Sequence, residues 1–137
     1  MRLLLVACLL SGCLTSEVEP QVTITQGLYG QLTERCEGAD CLGRPRVGAH
    51  VGWFATSPFT DLPDGGSPEP LQALRSKTNG FYELNLEAAT KGYLAIGVDR
   101  PGRIYWFAAT ATSVPRGLGR IDWQAGPGEE GTWNDVQ

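Results

Sequence analysis

From residue 21 to residue 124 an alternation of apolar side chains with a period of two dominates the chain, in runs cut at short intervals by glycine, proline or an Asn-Gly pair. A period of two places successive side chains on opposite faces of a strand, whereas a helix needs three to four residues between like neighbours. The breakers reinforce the reading. With 18 Gly and 9 Pro among 137 residues, a helical bundle or coiled coil is excluded, because both residues are costly inside helices and useful in turns. At 42% hydrophobic and 19% charged, the chain has enough apolar surface for a core and too little charge to be a disordered segment. The formal net charge of -4 offers no broad basic footprint, so nucleic acid is not an expected partner.

Val22, Ile24, Leu28 and Leu32 share one parity and read as a long first strand, with Gly27 and Gly30 where the strand could bulge or another backbone approach. Val47, Ala49, Val51, Trp53 and Ala55 form the second, and residues 56–70, with Pro63-Asp64-Gly65-Gly66, the longest loop. Residues 71–78 read as a third strand or an irregular turn. Asn79-Gly80 then introduces Tyr82, Leu84 and Leu86. Residues 86–91 have the composition of one helical turn ended by Gly92, and residues 93–98 resume as strand. After the turn Asp99-Arg100-Pro101-Gly102, residues 103–111 are apolar on both faces, so this strand is expected to be central or to meet a partner on one side. A last strand covers residues 120–124, followed by a Gly-rich acidic tail, 125–137, whose one large apolar residue is Trp133. The expected fold is all-β, a single antiparallel sandwich of about seven strands, immunoglobulin-like in its architecture.

Ahead of this domain lies an address. Met1 and Arg2 give a positive start, residues 3–10 are almost wholly apolar, and Leu10-Ser11-Gly12-Cys13 follows. A run this short cannot serve as a lasting span, which takes roughly 20 apolar residues. Leu10-Ser11-Gly12-Cys13 resembles the lipobox of bacterial lipoproteins. That resemblance implies a signal peptide over 1–12, lipid on the Cys13 thiol, and a membrane anchor made of acyl chains. The competing reading is an ordinary signal peptide cut nearby, with Cys13 an incidental thiol. Leu14 is not the Asp that in well-studied lipoproteins favours inner-membrane retention, so the outer membrane of a cell envelope is the expected location, on either face. Residues 13–20 would then be a tether, about 25 Å long at most, and residues 21–124 the folded domain.

With Cys8 removed and Cys13 lipidated, Cys36 and Cys41 remain in an oxidising compartment. Gly38 lets the intervening loop turn tightly, and a disulfide is expected there. Zinc would want four ligands, and the chain offers these two thiols and the single His50, so no metal and no cofactor are expected.

Pro45-Arg46-Val47-Gly48-Ala49-His50-Val51, then Thr78-Asn79-Gly80-Phe81-Tyr82-Glu83-Leu84-Asn85-Leu86, then Gly92-Tyr93-Leu94-Ala95-Ile96 resemble the carboxypeptidase regulatory-like domain. The resemblance implies a transthyretin-like sandwich of seven strands and a non-catalytic accessory role. Asn79 stands where that family usually has an acidic residue, and the 56–70 loop is long for it.

Catalytic residues are not expected. Transthyretin-like hydrolases of a urate-derived ring use His and Arg near the chain start and a Tyr-Arg-Gly-Ser ending, and neither is present. His50 falls on the polar parity of its strand and is expected at the surface. Glu129-Glu130 sit in a Gly-rich tail that cannot fix them for acid and base work. Asp61 and Asp64 lack the alternating ligands of a calcium loop, and neither Lys77 nor Lys91 lies on the first strand, where an isopeptide cross-link would need one.

Trp53, Tyr105, Trp106, Phe107 and Trp123 are many large rings for a small domain. If Trp106 points inward, Tyr105 and Phe107 point outward and form a candidate binding face. The sequence thus supports a membrane-anchored lipoprotein carrying a binding or structural module, whose partner is an envelope protein or a glycan. A carbohydrate or cell-wall module using exposed rings is the alternative, and a divergent hydrolase is the remote third.

Overall fold

The structure, a computed structural model, describes residues 22–34, 44–125 and 131–136. Within them the chain is strand and turn without helix: β1 (Gly27–Glu34), β2 (Arg44–Pro45), β3 (His50–Phe54), β4 (Gln72–Arg75), β5 (Phe81–Asn85), β6 (Lys91–Arg100), β7 (Arg103–Ser113), β8 (Leu118–Ala125) and β9 (Gly131–Val136). One sheet is built around β1, which has β8 and then β9 on one side, and β5 and the short β2 sharing the other. The second sheet has the order β4-β3-β6-β7. Leu28, Leu32, Tyr82, Leu84 and Trp123 from the first pack against Val51, Trp53, Leu94 and Ile96 from the second, so the two sheets enclose one core.

The strands expected from the alternation are all present, as β1 and β3 to β8. Four details differ. β1 and β8 run parallel, with Gly27 opposite Leu118 and Glu34 opposite Ala125, whereas every other pairing is antiparallel. Residues 86–90 form a turn with Ala89 at a φ of 68° instead of a helical turn, because β6 starts at Lys91 and the chain must reverse within a few residues. The fold also continues past residue 124: β9 pairs with β8, setting Trp133 opposite Trp123.

The fourth concerns the chain start. Pairing begins at Gly27, and residues 22–26 are fastened mainly by side chains, with one main-chain bond from the Leu86 N–H to the Gln26 carbonyl at 3.3 Å. The Glu83 carboxylate accepts bonds from the Thr23 N–H at 3.0 Å, the Thr23 hydroxyl at 2.8 Å and the Ile24 N–H at 3.1 Å, with Lys77 Nζ at 3.3 Å. Burial alone would raise its pKa, but the donors from Thr23 and the Lys77 charge outweigh that and hold it below the usual value. Gln26 completes the clasp, its amide donating to the Pro115 carbonyl and accepting from the Gly117 N–H.

Midway along the β1–β8 ladder, main-chain bonding lapses between Tyr29–Arg120 and Leu32–Trp123. The Tyr82 hydroxyl crosses β1 to donate to the Ile121 carbonyl at 2.7 Å, and Asp122 Oδ1 accepts the Gln31 N–H at 2.9 Å. Gly30 makes this possible. A Cβ there would collide with the Ile121 carbonyl oxygen and touch the Tyr82 ring. The close approach anticipated at Gly30 is thus present, with side chains bridging the gap.

Candidate functional site

β7 carries the concentration of rings, and its geometry is set by one irregularity. Its register with β6 steps from Ile96–Ala108 to Gly97–Trp106, so Phe107 is the extra residue of a bulge. Ala108 and Phe107, adjacent in sequence, consequently both pack against the core, which strict alternation forbids. Trp106 then falls on the opposite face of the sheet. There it meets His50 and Phe54 of β3, which alternate with the core-facing Val51 and Trp53.

On that face Trp106 occupies a seat cleared by two glycines. A Cβ on Gly52 would stand 2.8 Å from Trp106 Cη2, and one on Gly97 2.8 Å from Cε3. The six-membered part of the indole therefore reaches from β7 across β6 to β3, directly over backbone. Phe54 abuts it edge-on at 5.0 Å between centroids and is itself fully buried. The 56–70 loop returns over this region. Pro58, Phe59, Pro68 and Pro70 face Ile104 and Trp106 across a groove of about 550 Å³, with Glu69 and Arg103 at its polar margin. Phe59, which lines this groove, is 56% exposed.

Tyr105 also lines the groove, stacked at 28° on Phe107 and covered by the guanidinium groups of Arg100 at 5.0 Å and Arg103 at 5.8 Å. Phe107, on the same side as Tyr105, reaches further into the core. It meets Trp123 at 5.6 Å, and the Arg46 guanidinium lies 5.3 Å from the Phe107 ring and 5.5 Å from the Trp123 ring. The two residues of the expected binding face are thus neighbours, but only Tyr105 reaches the groove. Both are half-buried. Trp106, whose inward placement was the condition for that binding face, instead lines the groove, and the signal for it is present as Gly52 and Gly97, two small residues in adjacent strands.

His50 is buried at 8% exposure instead of lying at the surface. Its strand sits between β4 and β6, and the face judged polar is covered by Trp106. His50 Nε2 lies 2.8 Å from Asp99 Oδ1, and Arg75 reaches both oxygens of the same carboxylate at 3.2 and 3.4 Å. A carboxylate only accepts, so Nε2 carries the hydrogen. The bond from His50 and those from Arg75 hold the Asp99 pKa below its ordinary value. His50, Arg75 and Asp99 thereby tie β3, β4 and β6 together on the outer face.

Among the described residues, no group of three His, Cys, Asp or Glu is placed to hold a metal ion, and no helix is long and apolar enough to cross a membrane. Cys13, Cys36, Cys41 and the Glu129-Glu130 pair lie outside the described residues. The chain finds no match among family models, curated proteins or solved structures.

Proposed function

We propose that this chain is an envelope lipoprotein, anchored through lipid on Cys13, whose β-sandwich is a non-catalytic binding module of the carboxypeptidase regulatory-like kind. The observation that carries the binding role is the groove between the 56–70 loop and β7, floored by Trp106 and left open beside the exposed Phe59. Its volume of about 550 Å³ falls within the roughly 300–1,000 Å³ typical of small-molecule sites. His50 does not line the groove, and its Nε2 is engaged by Asp99, which supports a structural tie over a general base.

The anchor follows from Leu10-Ser11-Gly12-Cys13 and the apolar run before it. Two or more acyl chains hold a protein at a bilayer stably, each buried methylene contributing roughly 0.8 kcal/mol. The short stretch to residue 21 would keep the domain near the membrane, with the outer membrane favoured by Leu14 and an envelope component as partner. Mass spectrometry of the membrane fraction tests this. A mature chain beginning at a diacylglyceryl Cys13 is expected, with Cys13→Ser leaving the protein unprocessed, and an unmodified Cys13 in the mature protein would overturn the anchor.

A further inference from the structure

The geometry points to a carbohydrate site in the groove, with the Trp106 ring as the stacking platform for a pyranose unit; this rests on the reading of the groove as the ligand site. Three observations carry the choice of ligand. One side of the indole is set over the backbone at Gly52 and Gly97, and the same residue lines the groove, so the side turned from the sheet is the one a ligand meets. Trp106 is half-buried, and the part of its ring that lines the groove suits the C–H face of a sugar, whose weakly positive hydrogens meet the negative face of the π-system. The polar margin offers one cation, Arg103, and one anion, Glu69. Together they supply planar donors and acceptors for hydroxyl groups without the net charge that would select an ionic ligand.

The opposite wall argues against an extended peptide. Pro58, Pro68 and Pro70 have no N–H to pair with a peptide backbone, whereas apolar contact with a sugar ring does not need one. Phe59, exposed across from Trp106, provides a second ring for the ligand.

The test is a titration of the full chain, extracted from membranes in detergent, with the tetramer of β-1,4-linked N-acetylglucosamine, with cellotetraose and with a proline-rich decapeptide, followed by NMR. The Trp106 indole signal is assigned by its loss in Trp106→Phe. Saturable shifts of that signal and of the Phe59 amide are expected with an oligosaccharide, while the Trp53 indole stays unmoved. Trp106→Ala should weaken binding about tenfold or more, as for a central anchoring ring. Gly52→Ala should do the same by tilting the indole. Because either change could disturb folding, Phe59→Ser on the exposed loop is the independent check and should weaken binding about threefold, a rim-sized effect. Shifts with the peptide alone would overturn the carbohydrate assignment and keep the groove as a binding site. Silence from all three probes at millimolar concentration would remove both, whatever the lipid state of Cys13. Oligosaccharide binding unchanged by Trp106→Ala and Phe59→Ser would overturn this site as its location.

Discussion

Tyr82 and Asp122 each stand in for a main-chain group where the β1–β8 ladder lapses, and the cost of losing them is the cost of leaving a buried partner alone. Tyr82→Phe keeps the ring and strands the Ile121 carbonyl, so a loss of about 1–3 kcal/mol is expected from the urea midpoint, with the fold retained by circular dichroism. Gly30→Ala should be at least as damaging, because its Cβ meets the Ile121 carbonyl oxygen and a backbone cannot yield as a flexible side chain does. Glu83 gives the pH dependence. Its carboxyl is held below the ordinary value, so its stabilising effect is full above the unfolded-state range near pH 4–5 and is lost as pH falls through the lower folded value. Denaturation midpoints measured against pH should fall on acidification and fall less steeply in Glu83→Gln. Asp99, held down by His50 and Arg75, acts in the same direction.

At the level of elements, β3 and β5 were legible because their alternation is unbroken and a turn signal precedes each. β7 was only half legible. Its residues are apolar on both parities, which a bulge and a central strand produce equally, and it is in fact the last strand in its sheet, paired among the described residues only with β6. Nothing in residues 103–111 marks Phe107 as the extra one, and the step shows only against the neighbouring strand, where it falls between Ile96 and Gly97. For the same reason the face of Trp106, and with it the groove, could not be read from β7 alone. His50 was misread because parity tells which face a residue takes and not whether a ring from another strand covers that face. β9 escaped because Trp133 and Val136 are its only apolar side chains and show no period of two, and its pairing is supplied by β8. Trp133 packs beside Trp123 at 6.3 Å but is only partly buried. Trp133→Ala should therefore cost about 2 kcal/mol in thermal or chemical denaturation, below the roughly 3–5 kcal/mol of a fully enclosed ring.

At the scale of the molecule, the two faces of the β3-β6 sheet do different work. The inner face is closed by Trp53, Leu94 and Ile96 against the other sheet, while the outer face holds a smaller apolar layer, Phe54 and Trp106, beneath the 56–70 loop. Shortening that loop to a simple connection should leave the inner core intact and uncover the outer layer, measurable as a rise in binding of a hydrophobic dye at an almost unchanged unfolding midpoint. The parallel pairing of β1 with β8 bears on when the molecule can exist at all. The two strands meet across 91 residues of chain, so the sheet around β1 cannot close until nearly the whole domain has emerged. Such long-range closure is slow. Under the proposed anchoring, which would require the chain to cross a membrane as a thread, a first strand waiting on one of the last would keep that thread unfolded during its passage.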